Sequence, residues 1–176
     1  MAGRSEVRLR DVTYSDVDSY VRMRCDPVMT AELGGPQARD GIEEKVSQDA
    51  VEAAAGTALI KMIIPDVAAP EVVAGSVVLW PSHGGDGQPI SEIGWMVLPE
   101  FQGRGIGKQA VRMLLEVARD ENRWGLVHAF PATTNAPSNA LCRSVGFRFA
   151  GQVDIPYTDR VFRTNHWIID PRTDLA

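Results

Sequence analysis

Seven consecutive residues, Gln102-Gly103-Arg104-Gly105-Ile106-Gly107-Lys108, place three glycines within five positions beside two cations. Glycine lets a backbone approach a ligand closely, and a helix opening at such a run presents unpaired N–H groups at the positive end of its dipole. That combination holds anions, phosphate above all. A turn that merely lets helix and strand pack tightly is the competing reading. The Walker pattern requires Gly five residues before the Gly-Lys pair and Ser or Thr after it, but Gln102 and Gln109 stand there. The dinucleotide pattern can be laid on residues 105–110, yet it should follow a strand directly and residues 99–104 intervene. The pattern Gln/Arg-x-x-Gly-x-Gly/Ala fits Gln102, Gly105 and Gly107 without a gap.

About 28 residues further on stands Asn135-Ala136-Pro137-Ser138-Asn139-Ala140-Leu141-Cys142-Arg143-Ser144-Val145-Gly146-Phe147. Together the two segments resemble the signatures of the GNAT superfamily of acetyl-coenzyme A dependent N-acetyltransferases, the second being N-x-x-S-x-x-L-Y-x-x-x-G-F with Cys142 in place of the tyrosine. The resemblance covers residues 91–149, and the run Glu92-Ile93-Gly94-Trp95 with Pro99 is similar to the branch that includes ribosomal-protein N-terminal acetyltransferases. It implies acetyl-CoA as cosubstrate without a metal, and an amine acceptor that is a small molecule or a peptide N-terminus. Met96, Val97 and Leu98 would offer backbone groups to the pantetheine arm. Gln102 and the N–H groups of Gly103, Arg104, Gly105, Ile106, Gly107 and Lys108 would hold the pyrophosphate. Asn135 would contact the pantetheine and Ser138 would cap or line the following helix, a plain helix cap being the other reading of both. A non-catalytic acyl-CoA sensor and a nucleotide-binding protein are the alternative classes.

Acetyl transfer needs a neutral amine, whereas a lysine-like amine has a pKa of about 10.4 and a terminal amine about 7.7 to 8. Glu92 and His128 are the candidate proton acceptors. Glu92 is separated from Gly94 and Met96 by even steps and shares their side of a regular strand. A backbone N–H near Val97 or Leu98 would stabilise the tetrahedral intermediate. Where the family places its tyrosine acid, Cys142, on a helix with Ser138 and Leu141 as neighbours, is either a weak donor or a small residue packed against the cofactor's sulfur end, and packing there is the expectation. Tyr157, in a turn between the last strands, is the other candidate acid. The acceptor pocket is expected from residues 25–35, the Tyr157 turn and the loop 83–89.

The composition agrees with such a protein. In 176 residues, 44% hydrophobic and 23% charged, with net charge −5, there is no global basic field for nucleic acid and no apolar stretch long enough for a membrane span. The length suits a single domain over residues 1–176. Two cysteines, Cys25 and Cys142, form no framework, and the histidines at 83, 128 and 166 are too scattered for a ligand motif. A reducing cytoplasm is the expected compartment, and a homodimer is left open.

The elements that must position these residues follow from periodicity. Strands are expected at 7–12, 58–64, 72–80, 91–98, 126–130, 147–154 and 161–169. Ser15 is expected to cap a first helix, and residues 36–55 to form a second with Gly56 as its stop. A third should bury Ile106, Ala110, Met113, Leu114, Val117 and Ala118, and a short fourth should span 137–145. The order βααβββαβαββ predicts an α+β fold, a mixed and mostly antiparallel sheet with helices on both faces.

Overall fold

The computed structural model describes residues 6–157 and 160–175, the side chain of Tyr157 not included. The elements are β1 (Arg8–Asp11), α1 (Val17–Arg24), α2 (Ile42–Ala55), β2 (Leu59–Ile64), β3 (Gly75–His83), β4 (Pro89–Val97), α3 (Ile106–Glu121), β5 (Val127–Ala129), α4 (Ala136–Val145), β6 (Arg148–Tyr157) and β7 (Arg160–Ile169). Short 3-10 turns, Tyr14–Asp16 and Pro99–Phe101, precede α1 and follow β4. The expected order of strands and helices is the observed one. Seven strands form one sheet in the order β1-β2-β3-β4-β5-β7-β6, and among them only β4 and β5 pair in parallel.

Alternation along the strands divides the core in two. Val77, Leu79, Ile93, Val127, Trp167 and Ile169 face α3, whose Ile106, Ala110, Val111, Leu114, Leu115 and Ala118 are buried against them. Each fully buried Leu contributes roughly 1.5–3 kcal/mol, so this stripe anchors the start of α3 firmly. Met113 and Val117, expected inside, are only half buried, because the stripe centres on Val111 and Leu115. On the other face Ile60, Met62, Val78, Trp80 and Met96 meet Tyr20 and Met23 of α1 and Ile42 and Val46 of α2.

Two local expectations are corrected. The turn before α1 is closed by Asp16 rather than by Ser15: the buried Asp16 carboxylate accepts from Thr13 N–H at 2.8 Å and from Arg10 at 2.6 and 2.8 Å. The Ser15 hydroxyl meets only that of Thr13, at 2.7 Å. The second helix begins at Ile42, since Gln37 N–H donates to the Arg24 carbonyl (2.8 Å) and holds the preceding segment to the end of α1.

Candidate active site

The site begins where two strands part. β4 and β5 pair at Ser91 with Val127 and Glu92 with His128, and no further. β4 continues beside β3 to Val97, while β5 ends at Ala129 and Ala132 bridges instead to Thr164 of β7. The wedge between them opens into a cavity of about 1090 Å³. Leu98 N–H donates to the Ala74 carbonyl at 2.8 Å, so the backbone groups of Met96 and Leu98 point toward β3 and those of Trp95 and Val97 toward the wedge. The Val97 carbonyl already accepts from Gln102 Nε2 at 2.8 Å. Leu98 and Met96 are therefore corrected: the N–H of Leu98 is taken and its side chain is buried on the α1–α2 side, while Met96 lines the cavity but turns its backbone groups to Ser76 of β3, so that Trp95 stands with Val97 on the wedge side. Val97 N–H points into the wedge, where the expected oxyanion donor would have to stand.

At the wide end of the wedge lies the glycine loop. Gly103 (φ +71) and Gly105 (φ +75) adopt left-handed conformations that other residues avoid, and a β-carbon at Gly103 would meet nothing within 4 Å. Gly105 is the N-cap of α3, so the N–H groups of Ile106, Gly107 and Lys108 have no intrahelical partner. Gly107 differs from the other two. A β-carbon there would stand 3.2 Å from both Leu141 and Val97, so it serves the close packing of α3 on β4 and α4. Gln102, Gly103, Gly105, Ile106, Gly107 and Lys108 all line the cavity. Arg104 is exposed outside the lining, with its guanidinium 5.8 Å from the centre of the Phe101 ring.

The opposite lip is built by α4. Asn135 Oδ1 accepts from Ser138 N–H at 3.2 Å, an N-cap that places both residues in the cavity wall. Ser138, Leu141 and Ser144 form the cavity stripe of this helix, and Asn139, Cys142 and Val145 its buried stripe. Asn139 escaped sequence reasoning. Its amide donates to the carbonyls of Ala132 (2.9 Å) and Asn135 (2.8 Å), and its Oδ1 accepts from Asn165 (2.8 Å) and Trp167 (2.9 Å). Those four bonds hold the loop carrying Asn135 against β7. Cys142 is corrected on both counts, as an acid candidate and as a residue packed against the cofactor: it is 0% exposed in the core, lines no part of the cavity, and burial pushes its thiol up to about 12.

Glu92 lines the cavity at the apex of the wedge. Burial raises its pKa, and a hydrogen bond from the Ser82 hydroxyl offsets this in part. His128, its register partner, stands outside the lining and bonds through Nδ1 to Nε2 of His166 at 2.8 Å. Burial lowers the pKa of both imidazoles, and for His128 the charge of its partner adds to the effect. Phe130, in the cavity wall, stacks on His166 with 4.6 Å between ring centres. Tyr157 ends β6 opposite Arg160, and its side chain lies outside the described residues.

Of the expected segment 25–35, Val28, Met29, Glu32 and Leu33 line one outer wall, and the register pair Ile155 and Phe162 another. The loop 83–89 is corrected: it joins β3 to the far end of β4 and does not line the cavity. The outer wall is tied to the loop before α4 by the Thr134 hydroxyl donating to Glu32 at 2.6 Å, and Arg22 of α1, the helix leading into that wall, pairs with Glu100 ahead of the glycine loop. Among the described residues there is no group of three or more His, Cys, Asp or Glu able to hold a metal ion, and no helix is long and apolar enough to cross a membrane.

Residues 6–148 match the family described as acetyltransferase (GNAT) domain. A segment of 53 residues is 45% identical to the N-alpha-acetyltransferase RimI of Mycobacterium tuberculosis, spanning 30% of this chain and 31% of that relative. The fold is that of a GNAT acetyltransferase from Bacillus anthracis, at TM-score 0.79 and 16% identity over 96% of both chains. It is also that of RimL, a ribosomal L7/L12 alpha-N-protein acetyltransferase solved with coenzyme A, at TM-score 0.78 and 18% identity over 96% of both chains.

Proposed function

The chain belongs to the GNAT acetyltransferases, and from that premise we propose that it moves the acetyl group of acetyl-CoA directly to the primary amine of a small molecule or a protein N-terminus. The observation that carries the reading is the parting of β4 and β5 immediately beyond Glu92 and His128, with the open glycine loop at its wide end. The N–H groups of residues 103–108 hold the pyrophosphate at the start of α3, aided by Lys108. The backbone of Trp95 and Val97 and the lip made by Asn135 and Ser138 receive the pantetheine arm in the wedge. That RimI and RimL are named as acetyltransferases of α-amines supports an acceptor of this chemistry.

The amine nitrogen must give up a proton before its lone pair can attack the thioester carbon. Glu92, whose burial raises its pKa toward the working range, takes that proton directly or through one water. Val97 N–H faces the oxygen on which negative charge then develops. Collapse of the tetrahedral intermediate expels the CoA thiolate, which is reprotonated by solvent, since the Cys142 thiol is sealed in the core. Two unpaired cysteines suit a reducing compartment, the cytoplasm.

Titration calorimetry with acetyl-CoA, followed by free-thiol release across an amine panel, tests the reading. Micromolar affinity with amine-dependent thiol release supports it. Affinity without turnover on any amine would make the chain an acyl-CoA sensor, and affinity for ATP with none for CoA would overturn both.

A further inference from the structure

The acceptor wall differs in character from the cofactor loop. Val28 is 76% and Leu33 51% exposed, large apolar side chains on a connecting segment where polar ones are usual, and both line the cavity with Met29. Their segment is well fixed: Asp26 Oδ1 accepts from the N–H groups of Val28 (2.7 Å) and Met29 (3.2 Å), and the Thr30 hydroxyl donates to the Asp26 carbonyl (2.8 Å). Across the opening the register pair Ile155 and Phe162 lines the other side. An apolar body is what such walls would remove from water.

The charges of the same wall are one-sided. Glu32 and Glu92 line the cavity, and neither has an ion-pair partner among the described residues. Cations on flanking elements are matched elsewhere, Arg22 by Glu100 and Arg163 by Asp154. Arg160 lies over the Phe162 ring, 5.7 Å from its centre, and is not part of the lining. Lys108, the cation that does line the cavity, belongs to the cofactor loop. Among the described residues a bound acceptor therefore meets two carboxylates and no cation of its own half of the site, and an acceptor carrying a carboxylate would add a third negative group with no counter-charge beside it. The Glu32 carboxylate is held in place by the Thr134 hydroxyl, from the loop that carries Asn135.

Resting on the acetyl-transfer reading above, we infer that the acceptor is a cationic amine with an apolar side chain and no carboxylate beside the amine. Glu32 selects its charge, and Val28, Leu33 and Phe162 its apolar body. A free α-amino acid is excluded by the same two carboxylates that attract the amine. An arylalkylamine and the first residue of a peptide both present this chemistry.

Phenylalaninamide, phenylalanine and alaninamide form the decisive panel, with kcat/KM read by acetyl-CoA-dependent thiol release and affinity for the CoA-loaded protein by calorimetry. Phenylalaninamide should exceed each of the others by about tenfold or more. In Glu32→Gln the amide-over-acid preference should shrink to within about threefold while acetyl-CoA affinity is unchanged. Equal or better use of phenylalanine, or a preference untouched by Glu32→Gln, overturns the inference. Where turnover is slow, the calorimetric comparison decides on the same criterion. 2-Phenylethylamine against a tripeptide amide beginning with Phe separates the two sources of the amine. Failure of acetyl-CoA to bind would instead remove the acetyl-transfer reading, an outcome distinct from binding with a preference for carboxylated amines.

Discussion

Glu92 and His128 face each other across adjacent parallel strands and are the last such pair before β4 and β5 diverge. A carboxylate in the cavity wall thus has an imidazole beside it on the same face of the sheet, and that imidazole is bonded to a second one, His166.

Glu92→Gln should lower kcat/KM by roughly 10² with acetyl-CoA affinity kept. In the wild type the acid limb of the pH–rate profile should lie above the ordinary carboxylate range, because burial raises this pKa and the rate falls as Glu92 gains a proton. The stability effect has the opposite sense. A carboxyl whose folded pKa is raised favours folding while protonated, and that contribution is lost as pH rises through the raised value. At neutral pH the Gln variant should therefore melt no lower than the wild type. An acid limb that survives in Glu92→Gln and disappears in His128→Gln would transfer the role to the imidazole.

Gly105→Asp should raise the acetyl-CoA dissociation constant more than tenfold, about 1.4 kcal/mol. Gly105→Ala shares the strain of a positive φ without the charge and should cost less affinity. Gly107→Ala should act differently, lowering the melting temperature by overpacking against Leu141 and Val97 at a cost of about 1–3 kcal/mol. Calorimetry and thermal melts separate the two kinds of glycine.

Cys142→Ala should change kcat less than about threefold and cost about 1 kcal/mol of stability, because the side chain is sealed in the core. Cys142→Tyr should be strongly destabilised, as no void awaits the larger ring. A hundredfold loss of kcat in a folded, CoA-binding Cys142→Ala protein would reinstate the thiol as an acid.

The His128 and His166 pair should make folding sensitive to acid. Both pKa values are lowered in the fold, so the stabilisation is complete above about pH 6.5, the value of a free imidazole, and is lost as pH falls through the lower folded-state values. Melting temperatures at pH 7.5 and 5.5 should drop more for the wild type than for His166→Gln, which removes one titrating ring and keeps a hydrogen-bonding group beside His128.

What could be read from the chain was whatever its local chemistry states. The loop from Gln102 to Lys108 and the segment from Asn135 to Phe147 are legible because left-handed turns demand glycine and a helix start demands a cap, both within a few residues. The order of elements follows from periodicity for the same reason. The His128–His166 bond depends on β7 returning beside β5, a pairing of residues 38 apart that no spacing records. Phe162 and Ile155 reach the cavity through the same non-local sheet order. Cys142 was drawn toward the cofactor by its spacing from Ser138. The structure shows that one helical stripe further round is already core, where Asn139 and Val145 are its neighbours.

The ties of Arg22 to Glu100 and of Thr134 to Glu32 give the two substrates a common thermodynamic account. One holds Glu32 of the proposed acceptor wall to the loop before α4, the other holds α1, which leads into that wall, to the segment before the glycine loop, so ordering one side restrains the other. Linkage then requires reciprocity: whatever factor bound acetyl-CoA adds to the affinity for the amine, the bound amine adds to the affinity for acetyl-CoA. Severing either tie would lower both affinities in the ternary complex by the same factor, while each substrate alone would bind much as before.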